Sequence, residues 1–282
     1  YEYLSQHGTS RMVAGDYRSF DKKMPPQVIL AAFDILISLA KASGNYSDLD
    51  IKVLKGIALD TAFPLVDFNG ELIQFFGSNP SGHPLTVIIN SLVNSLYIRY
   101  AYYVTNPSKE IATFKRNVAL ITYGDDNAMG VSKDAPFFHH TSIQKALADI
   151  GIVYTMADKE AESVPYIDLK DVSFLKRVWR YDSDVGAYLC PLEHESIEKM
   201  LMVWTRSKTV TEEEQMCAVV NSAVREYFYY GKEVFEEKRS MLQRILYDTV
   251  DDIWIESSTF PTWDELVSQF WSNSKHVTLG RF

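Results

Sequence analysis

Two aspartates stand side by side in LITYGDDNAMG, residues 120–130, where Asp125 and Asp126 follow an apolar run from Val118 to Ile121 and a glycine, Gly124. Adjacent carboxylates disfavour each other's ionisation, so the arrangement is costly unless a cation, a proton or solvent offsets it. A second pair, Asp16 and Asp21, brackets YRSF, and Asp16 sits where the apolar segment Met12-Val13-Ala14 runs out. If the two apolar segments are neighbouring strands, Asp16 and Asp125 converge and make a hard oxygen site of the kind Mg²⁺ or Mn²⁺ prefers. Two such ions about 4 Å apart can activate an attacking oxygen and stabilise a leaving one in an in-line phosphoryl displacement. Taken singly, each stretch also has a plainer reading. Gly-Asp-Asp-Asn is common hairpin chemistry, and Asp16 to Asp21 can be solvated acids at the start of a helix.

The third polar cluster is SGHPLTVIINS, residues 81–91. Ser81-Gly82 can bring backbone close to a ligand, and Thr86 and Asn90, four apart, share a helix face with Ser91 nearby. Such residues on an apolar helix are packing glue or a recognition surface.

These residues need elements to position them. Arg11 to Asp16 reads as a short strand. Pro25-Pro26 suits the first turn of a helix, and Val28, Ile29, Ala32, Phe33, Leu36, Ile37 and Ala40 give that helix, Gln27–Ser43, one apolar stripe. Asn69-Gly70 marks a tight hairpin whose second strand ends at Gly77. Leu85 to Val104 is the most lipid-like segment, but Asn90, Asn94 and Arg99 make bilayer crossing costly, so it reads as a helix buried in protein. Ala119–Tyr123 and Ala128–Val131 form a hairpin around the two aspartates, and a helix of about Phe138 to Ile150 follows. A further hairpin turns at Asp182 to Gly186. From Glu195 the pattern is helical, with capping boxes at Thr211–Glu214 and Thr262–Glu265. The mixture predicts helices packed on one side of a mostly antiparallel sheet, then a small helical domain beyond a boundary near 190.

The chain has 282 residues, 46% of them hydrophobic, enough for a substantial core. Cys190 and Cys217 are too few and too scattered for a disulfide framework or a four-ligand zinc site. His139-His140, adjacent at a helix start, point different ways and read as solvated surface. A net charge of −9 opposes a general attraction for nucleic acid, unless the carboxylates gather around metal ions and a basic part of the protein lies outside this chain.

Taken in order, D-x4-D, SG-x3-T-x3-NS and YGDD resemble the palm motifs lettered A, B and C of viral RNA-dependent RNA polymerases. The likeness is to the picornavirus-like (Picornavirales) group, and SGHPLTVIINSLVNSLYIRY is similar to its marine and arthropod branches. It continues through Ala157-Asp158-Lys159, similar to the lysine-bearing motif D, and Phe174-Leu175-Lys176-Arg177, similar to motif E, so it spans roughly residues 10–180. The fold it implies is α+β. Residues 1–190 would be a polymerase palm, an antiparallel sheet with helices on one face, with a partial fingers insertion at about 25–80, and residues 191–282 a helical thumb.

The resemblance implies an RNA-directed RNA polymerase that replicates a viral genome by two-metal-ion nucleotidyl transfer. Asp16 and Asp125, with Asp126 beside them, would hold two Mg²⁺ or Mn²⁺ ions. Asp21 and Asn90 would sense the ribose 2′-hydroxyl, assisted by Ser81, Gly82 and Thr86. Lys159 would protonate the departing pyrophosphate, and Lys176 and Arg177 would touch the primer strand. As residues alone, Lys159 also fits an exposed surface lysine, and Lys176 and Arg177 fit ordinary hairpin charge. The implied partners are RNA template and primer, nucleoside triphosphates, the amino-terminal fingers of the same polyprotein and other viral replication proteins. The implied location is host cytoplasm at membrane-associated replication complexes, with no membrane-spanning segment in this chain. Only 15 residues precede Asp16, and they hold a single arginine, so a basic fingers stretch is expected to be missing and the chain alone to synthesise weakly or not at all. Two rival readings remain. A reverse transcriptase shares the palm but usually has an aromatic residue where Asp21 stands, and a catalytically idle RNA-binding or assembly module would keep the fold without binding metal.

Overall fold

β1 (Met12–Tyr17) is buried along nearly its whole length, and a strand of that kind must have neighbours on both edges to satisfy its backbone. It has them. The structure, a computed structural model, describes residues 1–79, 82–158, 161–255 and 259–274. Before β1 lies the short helix α1 (Glu2–Ser5), and after it come α2 (Phe20–Lys23), α3 (Pro26–Ser43) and α4 (Asp48–Ala62). The hairpin β2 (Leu65–Phe68) and β3 (Glu71–Gln74) leads to the long helix α5 (Thr86–Thr105). Then follow α6 (Phe114–Asn117), β4 (Val118–Tyr123), β5 (Asp126–Val131), α7 (His140–Ala148) and β6 (Tyr154–Met156). Four strands form one sheet in the order β4-β5-β1-β6, with every pairing antiparallel.

The helices are where their signals place them. Pro26 occupies the first turn of α3, and Gly44 ends it with a left-handed φ of 69°. Ser47 and Asp50 cap α4 reciprocally. α3 is long and apolar enough to cross a membrane by composition, yet Ile29, Ala32, Phe33 and Ile37 pack into the core. α5 buries Ile89, Val93, Ile98 and Ala101 in the same core, together with Val13 and Met129 of the sheet and Ile143 and Leu147 of α7. The second strand of the first hairpin stops at Gln74 rather than running to Gly77. At Gly77 a Cβ would stand 2.1 Å from the Met24 carbonyl, so the chain is already turning against the α2–α3 loop there.

The chain divides into two compact units, 1–175 and 176–282. The division therefore falls before the expected 190, because the hairpin β7 (Arg180–Asp182) and β8 (Ala187–Leu189) shares its core with the helices that follow it. Those are α8 (His194–Met202), α9 (Glu212–Phe228), α10 (Lys232–Thr249) and α11 (Trp263–Ser274). Val185 and Leu189 pack with Ile197, Val224, Phe228, Phe235 and Leu246. Both anticipated capping boxes are present, Thr211 with Glu214 and Thr262 with Glu265.

Gly15 precedes Asp16 in β1 and is required by space. A Cβ there would lie 2.0 Å from Cζ of Tyr154, whose ring lies across the strand from β6. Gly15→Ala must displace that ring or bend β1, and overpacking of this kind costs about 1–3 kcal/mol. The urea midpoint of Gly15→Ala is expected to fall accordingly, and an unchanged midpoint would refute this packing.

Candidate active site

The register of the sheet decides where the acids go. Gly15 pairs with Asn127 across β1 and β5, and Asp16 pairs with Thr155 across β1 and β6. One step along the antiparallel ladder from Gly15 and Asn127 are Asp16 and Asp126, so these two stand opposite each other at one end of the sheet. Tyr123 pairs with Asp126, which leaves only Gly124 and Asp125 to form the turn. Gly124 supplies the positive φ, 60°, that such a turn demands. The anticipated tip was longer; the structure makes Asp126 the first residue of β5 and draws Asp16 inside β1.

Charge reports the same convergence. Burial, then the Asp125 carboxylate beside it, holds the Asp126 carboxyl above the usual carboxylate range, and Asp16 adds to the shift. The Leu175 N–H, donating to Asp126 Oδ2 at 3.2 Å, opposes it. Tyr17 is pushed up chiefly by burial, and Asp125 and Asp16 both contribute. Asp16 Oδ1 accepts the Tyr17 N–H at 2.7 Å. Among the described residues no three His, Cys, Asp or Glu side chains close around a metal position. The donor set still fits a hard divalent cation, because Mg²⁺ is usually held through one or two carboxylates and completes its shell with water and substrate phosphates.

α5 holds the turn. The Asn94 side chain, fully buried, directs its Nδ2 at the carbonyls of Gly124 (3.1 Å), Asp125 (2.8 Å) and Asp126 (3.0 Å). Those carbonyls can only accept, so the amide orientation is forced, and its Oδ1 accepts the Tyr17 hydroxyl at 2.9 Å. One turn earlier, Ser91 Oγ accepts the Gly124 N–H at 2.8 Å, and the Ser91 carbonyl accepts the Thr122 hydroxyl at 3.1 Å. Asn127 joins the strands: its Nδ2 donates to the Gly15 carbonyl at 3.2 Å and its Oδ1 accepts the Tyr154 hydroxyl at 2.7 Å. His140 stacks on Tyr154 at 5.0 Å between centroids. The expectation of a solvated His139-His140 surface is thus corrected, since His140 is 1% exposed and its Nδ1 lies 2.7 Å from Ser163 Oγ, while His139 caps α7.

Asp21 and Asn90 are brought together, with Asn90 Nδ2 donating to Asp21 Oδ1 at 2.7 Å. Asn79, which carried no signal in the sequence, donates its Nδ2 to Asn90 Oδ1 at 2.7 Å. Thr86 lies one turn from Asn90 and its hydroxyl donates to the His83 carbonyl at 2.8 Å; Gly82 is exposed with φ 99°. Ser81 and Lys159 lie outside the described residues. Lys176 and Arg177 belong to the second unit. There Arg177 spends its fork on Glu226 at 2.7 and 2.9 Å, while Lys176 is exposed and pairs with Glu193 at 3.1 Å.

A family model described as Viral RNA-dependent RNA polymerase matches residues 1–245. The replicase polyprotein of Drosophila C virus is 31% identical over 242 residues, 82% of this chain, and that of Cricket paralysis virus is 26% identical over 251 residues, 85% of this chain. The chain spans 14% of the length of each. The RNA1 polyprotein of Raspberry ringspot virus is 31% identical over 70% of this chain and 8% of its own length. Among solved structures, the Sicinivirus 3Dpol RNA dependent RNA polymerase superposes with a TM-score of 0.72 at 19% identity, covering 97% of this chain and 53% of its own.

Two measurements test this geometry. Asn94→Ala leaves three turn carbonyls and the Tyr17 hydroxyl without their partner, and is expected to lower stability to urea by about 2–3 kcal/mol and weaken Mn²⁺ binding at least about tenfold. Asp126→Asn should do the reverse to stability. A carboxyl whose folded value lies above the unfolded 3.8 contributes stability at low pH and loses it as pH rises through the raised value. The metal-free variant should therefore melt higher than the parent at pH 7, and the difference should vanish near pH 3.

Proposed function

This chain belongs to the viral RNA-dependent RNA polymerase family, and on that footing we propose that it carries the catalytic edge of an RNA-directed RNA polymerase. The observation that supports this reading is the β1–β5 register, which sets Asp16 against Asp126 beside the Asp125 turn. In this reading Asp16 and Asp125 hold two Mg²⁺ or Mn²⁺ ions, with Asp126 as a neighbouring acidic contact. The chemistry such ions supply when bound is activation of a primer 3′-hydroxyl and neutralisation of charge on the triphosphate.

The side chains do the rest by position. The 3′-hydroxyl gives up its proton to solvent as its oxygen bonds to the α-phosphorus and the bond to pyrophosphate breaks, and Lys159 would give the leaving group its proton. Asp21 and Asn90 read the 2′-hydroxyl, a group that both donates and accepts, and Ser81, Gly82 and Thr86 are proposed to assist them. Lys176, exposed beside Glu193, offers a cation to primer phosphate, and Arg177, bonded to Glu226 and to the Cys190 carbonyl, braces the backbone that carries it. Template and primer RNA and nucleoside triphosphates are then the substrates. Fingers from the same polyprotein and other replication proteins are the partners, at membrane-associated complexes in the host cytoplasm.

Two experiments separate the readings. Calorimetric titration with Mn²⁺ should show binding that Asp125→Ala abolishes; equal binding by the variant would leave an idle assembly module as the better account. In primer–template extension by the polymerase that contains this chain, Asp16→Ala should lower the rate at least about a hundredfold. Ribonucleotides should be used in preference to deoxynucleotides, and the opposite preference would favour reverse transcription.

A further inference from the structure

Hydrogen-bond polarity runs in one direction through three side chains. The Asp21 carboxylate can only accept, so Asn90 must present Nδ2 to it, as it does at 2.7 Å. Asn90 then has its carbonyl oxygen facing away, and only a donor can meet it. Asn79 Nδ2 is that donor, also at 2.7 Å. Asn79 is 0% exposed, and its own Oδ1 has no partner among the described residues. A buried carbonyl left unpaired is costly, and an apolar residue of the same size would remove the cost. The amide is kept for the one bond it donates.

The backbone ensures that this donor stays in place. The Asn79 N–H donates to the Asp21 carbonyl at 2.9 Å, the Ser78 N–H to the Met24 carbonyl at 2.9 Å, and the Gly77 N–H to the Ala62 carbonyl at 2.8 Å. The segment before α5 is thus stitched to the segment that carries Asp21, and Asn79 is fixed relative to both residues it serves.

We propose that Asn79 is a positioning residue for ribose selection: it locks Asn90 in the single amide orientation that steadies the Asp21 side chain, leaving the second carboxylate oxygen of Asp21 to accept a 2′-hydroxyl. Without the Asn79 donor, the Asn90 carbonyl loses the bond that anchors its far side, and the amide is free to rock away from Asp21. The inference rests on the reading of Asp21 and Asn90 as ribose contacts.

The test is calorimetric binding of CTP and 2′-deoxy-CTP, with Mn²⁺, to the polymerase that contains this chain and to its variants. Asn79→Leu removes the donor at similar volume, and Asn79→Asp replaces it with an acceptor at nearly identical volume, which demands the wrong orientation of Asn90. Both are expected to reduce the ribo-to-deoxy affinity ratio about tenfold while 2′-deoxy-CTP affinity stays within about twofold. Asp21→Asn should reduce the same ratio. Equal losses for both nucleotides would mark Asn79 as a packing residue and overturn the proposal, as would an unchanged ratio in the two Asn79 variants when Asp21→Asn reduces it; the second result leaves the polymerase reading intact. A parent chain that binds both nucleotides equally, with Asp21→Asn without effect, overturns the ribose reading and this inference together.

Discussion

Three carboxylates at one end of a sheet repel one another, and the local structure consists largely of devices that hold them there. Asn94 binds the carbonyls of the Gly124–Asp126 turn, Tyr17 donates its N–H to Asp16, and Leu175 donates its N–H to Asp126. Each is a neutral donor, which fixes an oxygen in space without adding a charge of its own. Donors of this kind set the geometry of the carboxylates without themselves cancelling the charge that draws a cation.

The same helix serves both halves of the site. Asn90 and Asn94 are four apart on α5, so they lie on one face, one directed at Asp21 and the other at the Asp125 turn. α5 is otherwise committed to the core through Ile89, Val93 and Ile98. A rigid, buried rod therefore sets the spacing between the residues proposed to read the ribose and those proposed to hold the metal. Positions fixed on a packed helix are held more tightly than positions on a loop, which suits chemistry that depends on in-line geometry.

Much of this arrangement was visible in the sequence because periodicity and turn chemistry are local. Asn69-Gly70, Pro26, Thr211–Glu214 and the stripe of α3 each announce an element from a few neighbouring residues. Asp16 and Asp125 were also legible, since an acid at the end of an apolar run is anomalous wherever it is met. Asn127 and Asn79 were not. Asn127 reads as a hairpin residue until the register shows that its side chain reaches the Gly15 carbonyl, 112 positions away in the chain. Asn79 sits in a polar loop, and only the fold reveals that it is buried. His140 misled for the converse reason, since its stacking partner Tyr154 arrives from β6. Asn94 gave a partial signal, as a polar residue on an apolar helix, with no indication of which carbonyls it would meet.

Several of the places where this chain departs from what stability alone would favour lie around one edge. Asp126 is half-buried beside a like charge, Asn79 keeps a side-chain carbonyl with no partner among the described residues, and Leu175, a branched residue, adopts a φ of 54° to bring its N–H to Asp126. Gly15 gives up a side chain so that Tyr154 can lie against β1 and reach Asn127. Around Asp16, Asp21 and the Asp125 turn these features share one explanation, which is that the geometry of these acids is maintained against the preferences of the local chain. A site whose residues served only as surface would not require that maintenance, because relaxing each feature would lower the free energy of the fold without consequence.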